Sequence, residues 1–331
     1  MPRLIITPIA ERLLNSAPGA GDGLHRWLIS GANECQKFGL DPEVGAYTAI
    51  ADTVIARGGE VIEREIRKAI RKAYSQPLTN GTYKPAPTWP NAGLELIERV
   101  TEGARGALSK LQGMSPENPD QPTYEIISQL FPPDSIISAG MTEESTNAFE
   151  LQKVRDRLHR FQYIVPSPMS AKVGLTQEGK ESGRCLGNTG PRRFLVTEFD
   201  FKRTNKQGGP TRWIPLIDLW QANGATVQDA CAAIILHLKQ YGPLVMAVFS
   251  GNASLHAWWY CEGEPEHEGS RLNKFMRYAA TLGADTATYT RSQFVRNPGA
   301  TRPDGRKQTT HYLNTELTKT QKLNTGVEKH E

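Results

Sequence analysis

The sequence predicts an α+β chain: a mainly helical N-terminal part, then a unit in which strands and helices alternate. Three observations carry this. Glu60 to Tyr74 repeats apolar residues at helical spacing. A polar break rich in proline, Gly113 to Thr123, follows the helical part. Beyond it, short β-branched and aromatic runs stand between stretches of helical periodicity.

In chain order, Ile62, Ile66, Ala69, Ile70 and Ala73 form one helix face after Gly58-Gly59, and Arg64, Arg67, Lys68, Arg71 and Lys72 the other. The basic face is either a solvated surface or a nucleic-acid contact. A second helix is expected over Ala92 to Leu111, after a Pro-rich loop at Lys84 to Pro90. The break then sets the domains: 1–112 helical, 113–123 linker, 124–316 the larger unit, and 317–331 a loose polar tail. In the larger unit, Arg193 to Phe201 reads as a strand and Ala225 to Tyr241 as a helix. Pro243 to Phe249 suits a buried strand, and a Ser250-Gly251-Asn252 turn leads into another, Ser254 to Tyr260. A helix follows over Arg271 to Leu282, and Lys307 to Asn314 adds a last strand. The order is strand, helix, strand, strand, helix.

Composition sets limits. The chain has 331 residues, 38% hydrophobic and 22% charged, enough for two domains with real cores. Its 39 basic and 35 acidic residues leave +4, too little to imply nucleic acid except through a local patch. No signal-peptide pattern and no membrane-length apolar run is present. The cysteines, Cys35, Cys185, Cys231 and Cys261, form no CxxC pair, which fits a reducing cytoplasm. Cys261 and His267 lack the paired spacing of a structural zinc site, so zinc is not expected.

Four features bear on chemistry. Glu198 and Asp200 alternate on one strand and so share a face, an arrangement that suits either a hard divalent cation or an ordinary solvent-facing edge. Ser254 and His256 share a face in the same way, as phosphate contacts or as a satisfied core histidine. No GxSxG elbow supports a serine hydrolase. Asp285 follows the last helix, as an N-cap or a third carboxylate. Arg291, Arg296, Arg302, Arg306 and Lys307 fall within 17 residues, with Asp304 the only acid. Such a loop suits a polyphosphate or nucleic-acid backbone and a solvated surface equally.

Glu198-Phe199-Asp200, then Ser254-Leu255-His256, then Asp285, in this order, resemble the signatures of the archaeo-eukaryotic primase (primase-polymerase) superfamily, in its phage and mobile-element branch. The stretches YIVPSPM (163–169), SGNASLHAWW (250–259) and LGADTATYTRSQFVRNPGATRPDGRKQ (282–308) extend the resemblance over Tyr124 to Asn314. It implies an RRM-like βαββ core with a mixed sheet. It implies that Glu198, Asp200 and Asp285 hold two divalent ions, Mg²⁺ or Mn²⁺. Ser254, His256 and Arg296, with Arg291, Arg302 and Lys307 behind, would contact a ribo- or deoxynucleoside triphosphate. Arg64, Arg67, Lys68 and Arg71 would contact single-stranded template. Trp258, Trp259 and Tyr260 would stack on a base or belong to the core.

Two positions depart from the usual pattern: Glu198 where many members carry Asp, and Asn297 where an apolar residue is more usual. No GxxxxGK[ST] loop is present, so a separate replicative helicase is the implied partner. The resemblance thus implies a DNA primase, with primer extension, acting in the bacterial cytoplasm or a phage-infected cell. A non-catalytic initiator or scaffold that binds DNA and recruits a helicase is the alternative, and a metal-dependent nuclease a third reading.

Overall fold

The structure is a computed structural model that describes residues 13, 15, 24–37, 40–56, 62–75, 88–142, 145, 147–176, 180–205 and 207–319. Gly58, Gly59, the first two residues of the expected Glu60 helix, 84–87 of the Pro-rich loop and 320–331 of the tail lie outside them. The chain divides into two compact units, Met1–Pro87 and Thr88–Glu331.

In the first unit, α1 (Leu24–Lys37), α2 (Gly45–Ala56) and α3 (Glu63–Tyr74) bury Trp27, Leu28, Ile50, Val54, Ile66 and Ile70 against one another. Ile66, Ala69, Ile70 and Ala73 of the stripe read from sequence form the buried face of α3, as helical spacing requires, whereas Ile62 precedes the helix and is exposed.

The second unit begins well before the expected linker. The single helix expected over Ala92 to Leu111 is two, α4 (Leu94–Val100) and α5 (Ala107–Gly113). Gly103 and Gly106 sit between them at φ 67° and 77°, a left-handed backbone that no α-helix continues through. Both helices pack into the core of the second unit through Ile97, Ala107 and Leu111. The break at 113–123 therefore falls inside this unit instead of at its edge, and α6 (Thr123–Leu130) follows.

Then come β1 (Ile136–Gly140), β2 (Asn147–Glu150), β3 (Tyr163–Ile164), β4 (Gly174–Leu175), β5 (Glu181–Ser182) and β6 (Phe194–Phe199). Two helices follow instead of one: α7 (Ile214–Ala222), with Pro215 in its first turn, and α8 (Val227–Leu238). Thr226 caps α8, its hydroxyl accepting from Asp229 N at 3.0 Å. The chain continues as β7 (Leu244–Phe249), β8 (Leu255–Tyr260), α9 (Arg271–Thr281), β9 (Val295–Arg296) and β10 (Thr309–Leu313).

Two four-stranded sheets form, ordered β2-β1-β3-β9 and β10-β7-β8-β6. Every described strand pairing is antiparallel, so the mixed sheet expected is not found. The alternation of β6 explains the layers. Leu195 and Phe199 face the core shared with α4, α5, α7, α8 and α9. Phe194 and Val196 face a second core filled by Ile137, Ile164, Val295, Trp258 and the apolar side of α6. The sheet β2-β1-β3-β9 and α6 thus cover the face of the sheet β10-β7-β8-β6 that the helices leave free. Glu198 belongs by parity to this inter-sheet face.

Candidate active site at the end of the two sheets

Antiparallel register brings the predicted residues together. Glu198 pairs directly with His256, and His256 with Val248 on its other side. Side chains of directly opposed residues lie on the same face. Glu198 Oε1 stands 3.4 Å from His256 Nε2, and Ser254 Oγ stands 3.3 Å from the same nitrogen. A hydrolytic triad would place the serine and the acid on different ring nitrogens. Here both address Nε2, and Nδ1 is buried without a partner. The cluster therefore presents a positioned carboxylate and hydroxyl, not an activated serine.

Burial pushes the Glu198 carboxyl up, but the His256 imidazole, the Ser254 hydroxyl and the Arg296 guanidinium together hold it at about 2. Asp200 behaves oppositely. Strand β6 ends at Phe199, so Asp200 lies just beyond it rather than within the strand expected to reach Phe201. Burial raises its pKa, Lys202 opposes that from 2.5 Å, and the Glu198 charge adds to the rise. Its second oxygen, Oδ1, is buried with no hydrogen-bond partner.

Asp285 reaches the same strand end through its backbone, its N–H donating to Glu198 O at 2.8 Å. Its exposed side chain caps its own 3-10 turn, Oδ1 accepting from Ala287 N at 2.9 Å. Among the described residues, no three His, Cys, Asp or Glu side chains are gathered so as to hold a metal ion. The expected three-carboxylate set is thus not assembled. Glu198 and Asp200 influence one another electrostatically, and the buried, unpartnered Oδ1 of Asp200 is an acceptor that a divalent cation would satisfy.

The basic residues divide. Arg296, on β9 opposite Tyr163, lies over that ring at 4.4 Å and acts electrostatically on Glu198. Arg302 donates from Nη1 to Ser250 O at 3.2 Å, and burial with the nearby charges of Arg296 and Arg306 lowers its pKa. Like charges held together in this way favour an anion between them. Arg306 is occupied by Asp304 and Asn252. Arg291 is half-buried and, among the described residues, makes no hydrogen bond or ion pair with these groups, and Lys307 lines a separate cleft. In the first unit, Arg64, Lys68 and Arg71 are exposed on α3, whereas Arg67 is tied to Glu43 and Glu63. Trp258, Trp259 and Tyr260 are buried, which makes them core residues and not a stacking platform.

Sequence reading missed Ser250, Lys202 and Tyr163. The Ser250 hydroxyl, buried at the β7–β8 turn, accepts from Ser254 N at 3.2 Å and fixes the loop that presents Ser254. Lys202 had a legible signal, a cation two residues beyond Asp200; Tyr163 had none, because its role depends on pairing with Arg296.

No family model matches the chain, and no curated protein matches it significantly. Among solved structures it is similar to the AEP domain of the cyanophage S-2L primase-polymerase, with 15% identity over 59% of this chain and 92% of that one and a TM-score of 0.31.

Proposed function

We propose that the second unit is a nucleotidyltransferase that makes short primers on single-stranded DNA and extends them, in the replication of a phage or mobile element. One observation carries the reading: Glu198, set by register against His256 and bonded to Ser254, acts electrostatically on Asp200, whose Oδ1 is unpartnered, and lies within the field of Arg296. Acids on one strand end and guanidiniums from the other sheet complement a triphosphate delivered with divalent cations.

Glu198 and Asp200 would hold Mg²⁺ or Mn²⁺, with Asp285 joining once its side chain leaves its own turn. When bound, such an ion neutralises charge on the attacking and leaving oxygens. Arg296 and Arg302 would bind the triphosphate, and Ser254 would donate its hydroxyl to a phosphate oxygen. His256, held by Glu198 and Ser254, would orient that hydroxyl. Lys202 would leave Asp200 when the cation arrives. The exposed Arg64, Lys68 and Arg71 would bind template phosphates, and a separate helicase would open the duplex.

The test is primer-free synthesis on single-stranded DNA with labelled nucleotides and Mn²⁺ or Mg²⁺, alongside Asp200→Ala. Short products from the intact protein alone support the reading; near-normal synthesis by the variant overturns the metal assignment. The ties of Asp200 to Lys202 and of Asp285 to its own turn favour a second reading, a DNA-binding initiator or scaffold without catalysis. DNA binding with no incorporation under any divalent cation would select it.

A further inference from the structure

The N-terminus of α6 opens into a cleft of about 320 Å³ whose wall includes none of Glu198, Ser254, His256 or Arg296. Pro122 precedes the helix and no side chain caps it, so its first-turn N–H groups have no side-chain acceptor, and Thr123 and Tyr124 line the cleft. Arg155, His159 and Lys307 line the same space, and none is ion-paired among the described residues. Arg155 lies over the Tyr124 ring at 5.4 Å. Asp120 is the one acid on the wall.

An uncapped helix end near basic side chains is satisfied by water as readily as by a ligand. The independent sign is Thr310. It lines the cleft, is 4% exposed, and its hydroxyl has no hydrogen-bond partner. Native proteins rarely leave a buried hydroxyl unpaired, and an anion oxygen in the cleft would accept from it.

We propose that this cleft is a phosphate-binding site, taking either the terminal phosphates of a nucleic-acid strand or a free oligophosphate. Its position favours a strand end. Thr310 pairs with Val248, Val248 with His256, and His256 with Glu198, one row across the sheet. Three strand spacings separate the ends of that row by about 14 Å. The hairpin 299–308 borders both places. Its tip reaches Ser250 and Asn252 through Arg302 and Arg306, and its base carries Gly299 and Lys307 on the cleft wall. The assignment rests on the cleft's own residues, so failure of primer synthesis would leave it standing.

The test is equilibrium binding by the full chain of two labelled oligodeoxynucleotides of one sequence, one with a 5′-triphosphate and one with a 5′-hydroxyl, with tripolyphosphate as competitor. The triphosphate strand is expected to bind about tenfold tighter, as charge-assisted contacts to a terminal phosphate predict. Arg155→Glu is expected to remove that excess. Thr310→Val, which keeps the buried volume and loses the hydroxyl, is expected to reduce it severalfold without lowering the melting temperature. Displacement of the triphosphate strand by tripolyphosphate supports the site with a free oligophosphate as an accepted ligand; discrimination without displacement supports it with a strand end as the ligand. Equal affinity for the two strands with no tripolyphosphate binding overturns the proposal, as does an excess unchanged in both folded variants.

Discussion

Glu198 and His256 are direct cross-strand partners on β6 and β8, with carboxylate and imidazole 3.4 Å apart on the inter-sheet face. That register explains how a carboxylate with only 22% of its side chain exposed remains ionised. The ladder fixes its neighbours, and their field outweighs the cost of burial.

The pH dependence of stability follows from that field. The Glu198 carboxyl is held at about 2, below its ordinary 4.5. A depressed carboxylate contributes stability that is present above the ordinary value and lost as pH falls through the folded one. Melting temperature is therefore expected to drop as pH falls from 4.5 toward 2, and Glu198→Gln is expected to flatten part of that drop. Identical pH profiles for the two proteins would show that the imidazole, hydroxyl and guanidinium do not stabilise the charge.

Asp200 carries the opposite sign. Its pKa is raised, so its contribution to stability is full below the ordinary value of 3.8 and is lost as pH rises through the folded value. At neutral pH Asp200→Asn is expected to raise the melting temperature by a few degrees while abolishing nucleotide incorporation. Mn²⁺ is expected to raise the melting temperature of the native protein and not that of the variant, because a ligand stabilises only the state that binds it. Destabilisation by Asp200→Asn would mean that the Lys202 ion pair outweighs burial.

Legibility in the sequence followed the range of the interactions. The β7–β8 hairpin and α8 carry complete local signals: an apolar run, a glycine turn, and a Thr-x-x-Asp cap. Glu198 and His256 were legible from alternation on their strands, whereas Asp200 and Ser254 lie one residue outside β6 and β8 and take their places from the adjoining turns. The pairing of Glu198 with His256 was not legible, since register between distant strands depends on tertiary packing. Strands β3 and β9, two residues each, are too short for any periodic signal and exist through their partners. The α4–α5 break was hidden because apolar spacing continues past Gly103 and Gly106. Asp285 was legible as a cap because its bond to Ala287 N is local and forms without any ligand.

Asn297 is fully buried and donates from Nδ2 to Leu158 O at 2.9 Å and Phe161 O at 3.0 Å. An apolar residue would leave both carbonyls without these donors. Asn297→Leu is expected to cost about 1–3 kcal/mol, as Phe161 O loses this donor while Leu158 O keeps the Phe161 N–H at 3.2 Å. Urea denaturation measures it, and a change below about 0.5 kcal/mol, the range of ordinary surface substitutions, would show that other groups satisfy the carbonyls.

Two glycines of the basic loop region separate a backbone cost from a steric one. Gly251 and Gly305 have similar left-handed backbones, φ 78° and 83°. Replacing either by alanine is expected to cost about 1–2 kcal/mol for the conformation alone. At Gly305 a Cβ meets nothing within 4 Å, so the cost should end there. At Gly251 it would stand 2.7 Å from Lys307 O and 3.2 Å from Arg302 Cδ, pushing the 299–308 hairpin off the β7–β8 turn. Arg302 would then lose its hold on Ser250 O. In a primer-extension assay, Gly251→Ala is expected to raise KM for the nucleotide severalfold with a smaller change in kcat, and Gly305→Ala to leave both near native values. Equal kinetics for the two variants would detach Arg302 from triphosphate binding, because only the first moves its guanidinium.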